Sequence, residues 1–74
     1  MSDDRTVHAT LPSGDLIVRR DRSGKWYRES EGHRYPLASL AEAVRLATAP
    51  GSVPHVGLPG GKLFDAAVRR VGSR

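Results

Sequence analysis

The residues of this chain that could contact a nucleic acid or a protein partner are basic and aromatic, and they cluster between positions 19 and 35. Phosphate groups would meet Arg and Lys side chains, while a Tyr ring could stack on a base or brace a backbone. Between Leu16 and Tyr35 there are six cations and three anions, a local excess of three positive charges. The candidate binding residues are Arg19, Arg20, Arg22, Lys25, Tyr27, Arg28 and Arg34.

A second candidate lies where glycines precede a lysine at the predicted start of a helix. Free backbone N–H groups beside the Lys62 ammonium could hold an anion, the alternative being a plain turn and helix entry. The segment is not a Walker loop, because Val56 stands where the first Gly is required and Leu63 stands where Ser or Thr would follow the Lys. The predicted anion site comprises Gly60, Gly61 and Lys62.

No combination of residues predicts catalysis, a metal site or a cofactor. The chain has no cysteine, and its three histidines, at positions 8, 33 and 55, show no local ligand pairing of the kind that zinc sites use. Glu31 and His33 are two residues apart across a glycine, where polar groups are ordinarily solvated. Asp3 and Asp4 lie in a terminus that we expect to be too mobile for catalytic geometry. We therefore expect a non-catalytic binding or accessory protein.

Alternating apolar and polar residues, interrupted by turn residues about every ten positions, predict antiparallel strands. We expect strands at about 6–11, 15–20 and 25–30 and a short fourth at 33–35. In the first strand, alternation places Val7, Ala9 and Leu11 on the buried face and His8 on the opposite face, with Thr6 and Thr10. Trp26, the largest apolar side chain, is expected at the centre of the core.

The spacing of apolar residues becomes helical after the strands. A capping box at Ser39 and Glu42 predicts a helix over about 40–48, and a second helical pattern covers about 62–71. Between them, residues 49–61 are rich in Pro and Gly and predict a long loop, part of which should lie against the domain. The predicted fold is α+β: a small antiparallel β-meander of three strands plus a short fourth, followed by two amphipathic helices packed on one sheet face.

Length and composition predict the number of domains, the class of partner and the cellular compartment. Its 74 residues predict a flexible N-terminus over 1–5 and a single domain over 6–72, small enough that a homodimer would add useful buried surface. The net charge of +4 permits nucleic-acid binding, but ten Arg against two Lys also fits the codons of a bacterium with a GC-rich genome. The lack of cysteine, of a signal peptide and of a long apolar run favours the cytoplasm without membrane contact.

Two functions follow as alternatives. The first is protein interaction through the sheet face or the loop before the second helix. The second is nucleic-acid binding, in which the basic sheet face would read the phosphate backbone. Over 14–48, basic strands with a central aromatic followed by a capped helix are similar in pattern to the sheet-first DNA-binding modules of some phage-type integrases, and equally to several small bacterial domains. No specific motif carries that likeness.

Overall fold

The computed structural model describes residues 5–72, which form a five-stranded antiparallel sheet and two helices. The strand order is β4-β3-β2-β1-β5, so the first four strands form the predicted meander. The α+β class is confirmed. The elements are β1 (Arg5–Thr10), β2 (Leu16–Arg20), β3 (Trp26–Ser30), β4 (His33–Pro36), α1 (Leu40–Ala47), β5 (Val53–Pro54) and α2 (Lys62–Gly72).

The fifth strand corrects the prediction of an irregular loop over 49–61. Two residues, Val53 and Pro54, pair antiparallel with Thr10 and Ala9 of β1. The next residue continues the connection, because the His55 N–H donates to the backbone carbonyl of His8 over 2.7 Å. A strand this short leaves no periodic pattern in the sequence, since its partner lies more than forty residues away.

An extra residue in β1 overturns the predicted alternation of that strand. Val7 pairs with Val18 and Ala9 pairs with Ile17, so His8 is inserted as a β-bulge between two regular pairs. As a result His8 and Ala9 are both fully buried, instead of lying on opposite faces. Val7 shares its face with Val18, away from Ala9. The predicted flexible N-terminus over 1–5 is wrong at Arg5, which belongs to β1, and its other residues, 1–4, lie outside the described range.

The core lies between one face of the sheet and the two helices. Residues at positions 43, 44 and 47 of α1 pack against Ala9 and Ile17, and α2 contributes Phe64. The N-cap of α1 is as predicted, since the Ser39 hydroxyl accepts from the Glu42 N–H over 3.3 Å. Phe64 is fully buried, whereas Trp26 is half-buried and packs against the edge of the core. Trp26 is therefore not the centre that the sequence predicted.

No helix within the described residues is both long enough and apolar enough to cross a membrane.

Candidate functional site: the Trp26 groove

The sheet divides the predicted basic cluster between its two faces. Residues directly opposite each other in neighbouring strands share a face. Arg19 pairs with Trp26 in the sheet and therefore lies on the helix side. Tyr27 pairs with the buried Val18, and Arg34 pairs with Glu29, so both lie on the open side of the sheet. The cluster is thus not one continuous cationic surface.

Carboxylates neutralise much of the charge on the sheet. On the open side, Glu29 of β3 accepts from Arg5 and, at 3.1 Å, from Arg34. On the helix side, Arg28 contacts Asp15 at 2.7 Å. The guanidinium groups of Arg34 and Arg28 also lie over the rings of Tyr27 and Tyr35, with distances to the ring centroids of 5.8 and 5.2 Å. These pairings hold the arginines in intramolecular contacts.

Arg19 fixes the segment before α2 to the sheet. Its Nη2 donates to Asp21 Oδ1 over 2.7 Å and to the Pro59 carbonyl over 2.9 Å, and its side chain is only 11% exposed. The guanidinium group lies against Gly60, where a Cβ would come within 2.6 Å of Arg19 Cζ. Gly60 also has a φ of +75°, a conformation that favours glycine. Arg19 thus holds the segment that leads into the predicted anion loop against β2.

Two adjoining cavities on the helix side form what we call the Trp26 groove. Their volumes are about 360 and 540 Å³, within the range of small-ligand sites, and both are bordered by Gly24, Trp26, Leu40 and Leu63. Leu63 is 74% exposed, an unusual position for a large apolar side chain. The first cavity adds Arg19, Gly60, Lys62 and Phe64; the second adds Lys25, Tyr27, Pro36, Leu37, Ala38 and Ser39.

The groove is lined by apolar residues and by three cations. Arg19, Lys25 and Lys62 line it, and no Asp or Glu of residues 5–72 does. The structure thus brings together Arg19 and Lys25 of the predicted cluster with the predicted anion loop. Tyr27 borders the second cavity, but its side chain lies on the open side of the sheet. The structure leaves Arg28 and Arg34 outside the groove, and Arg20 and Arg22 do not line it either.

The start of α2 opens beside the groove. The first bond of the helix runs from the Asp65 N–H to the Gly61 carbonyl over 2.8 Å, so the amides of residues 62–64 precede the helical hydrogen-bond pattern. Gly61 offers no side chain that could cap them. The partial positive charge of this helix end therefore adds to that of the Lys62 ammonium. The residues of the predicted anion site, Gly60, Gly61 and Lys62, therefore lie at one end of the groove, and anion binding there stays a prediction.

His8 packs behind the groove in an aromatic cluster. Its ring centroid is 5.0 Å from that of Trp26 and 5.2 Å from that of Phe64, and these two rings stack on each other at 5.3 Å. His8 also contacts Gly61, where a Cβ would come within 2.8 Å of His8 Cε1. Neither ring nitrogen of His8 has a hydrogen-bond partner among residues 5–72. His8 is thus a buried polar group in contact with two walls of the groove.

Burial lowers the pKa of His8, because a charged imidazolium would lose its hydration in this apolar cluster. The neighbouring Arg19 guanidinium lowers the pKa further, and His55 acts in the same direction, whereas Asp65 and Asp21 oppose the shift. The imidazole is therefore neutral at pH 7.

The sequence did not single out three apolar contributors to this site. Helical spacing puts Leu40 and Leu63 among the apolar residues of their helices, but it cannot distinguish a residue facing the core from one bordering a groove. The same spacing includes Phe64 and does not indicate that its ring stacks on Trp26. His8 was assigned to the polar face of a regular strand. Only the register around the bulge reveals its position.

Comparison of the chain with protein-family models, with curated proteins and with solved structures found no match. Within residues 5–72, no group of three or more His, Cys, Asp or Glu side chains is arranged to hold a metal ion. The candidate site therefore rests on the geometry of the groove.

The contact between Gly61 and His8 predicts a position-specific effect of a single methyl group. Gly61→Ala should lower the free energy of unfolding by about 1–3 kcal/mol, because the new Cβ overpacks against the imidazole. Gly72→Ala, at the last residue of α2, is the control, since nothing lies within 4 Å of its Cβ position. Urea unfolding should show a change within about 0.5 kcal/mol for the control. Equal stability of the two variants would contradict the tight packing.

Burial of neutral His8 also predicts that the fold loses stability in mild acid. Because the pKa is lowered in the fold, the unfolded chain takes up the proton first, near its ordinary pKa of about 6.5. Stability is therefore full above that pH and falls below it, by up to about 1.4 kcal/mol per pH unit, until His8 is protonated in the fold as well. Urea unfolding between pH 7.5 and 5 should show this loss in the natural chain and in His33→Gln. It should be absent from His8→Leu.

Proposed function

We propose that this chain is a protein-interaction domain whose Trp26 groove binds a peptide segment of a partner that carries a large apolar side chain flanked by acidic residues. The observation that carries the proposal is the groove itself. Its lining contains Trp26, the exposed Leu63 and three cations, with no carboxylate among the lining residues of the described chain.

The apolar part of the proposal follows from exposed surface area. A leucine that is 74% exposed beside a half-buried tryptophan leaves apolar surface in water, and covering such a surface is favourable by roughly 25 cal/mol per Å². Aromatic residues in partly desolvated pockets commonly dominate the binding energy of an interface. Trp26 and Leu63 are therefore proposed to hold the apolar side chain of the partner.

The acidic part of the proposal follows from charge. Lys62 lies on the first turn of α2, where the positive helix end also attracts a carboxylate. Lys25 borders the second cavity, so an acidic residue on either side of the apolar anchor would find a cation. Arg19 adds positive potential, although its ion pair with Asp21 reduces its contribution. Complementary charges of this kind favour one class of partner over another.

Protein binding is favoured over phosphate-backbone binding because of where the sheet cations point. Arg5, Arg28 and Arg34 form ion pairs with carboxylates, and the arginines lie on both faces of the sheet. A phosphate contact would have to replace an existing partner at each of these positions.

We propose no catalytic step. We expect binding to take place in the cytoplasm, where proteins without disulfides, such as a cysteine-free chain, are common.

Selection of peptides tests this function directly. Random dodecapeptides displayed on phage and panned against the full chain should yield sequences with one or two large apolar residues between Asp or Glu. A tryptophan-free synthetic peptide of that type should shift the fluorescence of Trp26, the only tryptophan in the chain. Enrichment of basic sequences, or of none, would contradict the proposal.

Matched variants locate the contact. Leu63→Ser and Lys62→Glu should each weaken peptide binding by roughly tenfold, which corresponds to 1.4 kcal/mol. Val71→Ser is the control for the apolar change, because Val71 is an exposed residue of the same helix that lines a separate cavity between α1 and α2. Arg70→Glu, at that same cavity, is the control for the charge reversal. Equal losses in the control variants would move the site away from the Trp26 groove.

Salt dependence separates the two functions that the sequence left open. We expect no micromolar binding of a labelled random-sequence DNA duplex at about 50 mM salt, where phosphate contacts are strongest. Fluorescence anisotropy would measure it. Tight binding that collapses at about 200 mM salt and is abolished by charge reversal at Arg20 and Arg22 would establish the nucleic-acid alternative instead.

A further inference from the structure

We propose that His8 is a proton-operated control of the Trp26 groove, such that the neutral imidazole holds the groove in its binding shape and protonation in mild acid opens the groove and releases the partner. This inference concerns regulation of the groove and rests on the proposed function for its biological meaning. Its structural part, a change in the groove walls on protonation, does not depend on any partner.

The surroundings of His8 favour the neutral imidazole ring over the charged one. The side chain is fully buried, and both ring nitrogens lack a partner among the described residues. Protonation would make both nitrogens hydrogen-bond donors and add a charge, which burial without an acceptor strongly disfavours. The proton can therefore be accommodated only if the surroundings of the ring change.

The surroundings of the ring are the walls of the groove. His8 contacts the rings of Trp26 and Phe64, and its Cε1 edge faces the backbone of Gly61 at the start of α2. Trp26 and Phe64 line the first cavity, and so do the two neighbours of Gly61, residues 60 and 62. For the imidazolium to reach water or a hydrogen-bond acceptor, Trp26, Phe64 or the backbone at Gly61 must move. Protonation of His8 therefore disturbs the residues that form the Trp26 groove.

Charged groups on several neighbouring elements act on the His8 ring. Arg19 on β2 and His55 after β5 disfavour the proton, whereas Asp65 on α2 and Asp21 in the turn after β2 favour it. Asp21 Oδ1 accepts from Arg19 and Thr6, and Asp65 Oδ2 accepts from the Gly57 N–H over 2.9 Å, whereas the buried Asp65 Oδ1 has no partner among the described residues. Neither forms a hydrogen bond with the imidazole that would stabilise the imidazolium in place.

The consequence is a thermodynamic link between the proton and the partner. A partner seated between Trp26 and Leu63 requires the closed walls and therefore opposes protonation of His8. By the same coupling, protonation opposes the partner. Below the pKa of His8 in the free fold, binding should weaken by up to about tenfold per pH unit, the limit for one proton per binding event. Above that pKa binding should not depend on pH.

The test begins without any ligand, on the full chain labelled for NMR. As the pH is lowered from 7.5 to the limit at which the chain stays folded, the His8 ring signals should titrate together with the Trp26 indole N–H and the amides of Gly61 and Lys62. In His8→Leu, and in His8→Met as a second variant should leucine not fold, the groove signals should stay constant over the same range. Groove signals that do not move with the His8 titration in the folded chain would overturn the proposal.

Binding is then measured with a defined probe, the peptide acetyl-Asp-Glu-Phe-Leu-Glu-amide, whose carboxylates stay ionised above pH 5.5. Its affinity for the natural chain should fall once the pH is below the His8 pKa that the NMR titration gives, while the affinity of the folded His8 variant should show no such fall. His55→Gln is the control and should retain the pH dependence. An equal fall in affinity in the His8 variant would overturn the proposal that His8 protonation regulates the groove. Absence of peptide binding at every pH would count against the proposed function alone, because the NMR titration still decides whether His8 moves the groove.

Discussion

The structure depends on one inserted residue, His8, in the second strand from the edge of the sheet. The bulge turns two consecutive side chains inward, so that Ala9 meets Ile17 while the imidazole reaches Trp26 and Phe64. Gly61 must then lack a side chain, because the ring occupies the space of its Cβ. The bulge therefore determines where α2 begins. The position of α2 in turn determines the shape of the groove.

The parts of the fold that could be predicted are those in which a residue's environment depends on its near neighbours. The meander follows from local turns such as the one at Gly24, whose φ is +68°, and α1 follows from the cap at Ser39. Both are encoded within a few residues. Element bounds agree with the prediction to within about a residue or two for this reason.

The parts that could not be predicted depend on partners far away in the chain. β5 has no pattern of its own and exists because β1 offers an unpaired edge. The inward turn of His8 depends on register, since a one-residue shift exchanges the faces of a strand. The groove unites Arg19, Lys25 and Lys62 from three separate segments, and the sequence could name these residues but not place them together. Charge counting also overstated the basic sheet, because it could not include ion pairs formed across strands.

Both edges of the five-stranded sheet carry a proline. The outer strand β4 ends with Pro36, and the two-residue strand β5 contains Pro54. Proline has no N–H to donate, and short edges offer few hydrogen bonds to an incoming strand. Extension of the sheet from one molecule into the next is thereby discouraged at either end, which protects a chain of marginal size from aggregating when it is crowded. The domain can therefore expose apolar surface in its groove while its sheet edges offer few main-chain groups to a neighbouring molecule.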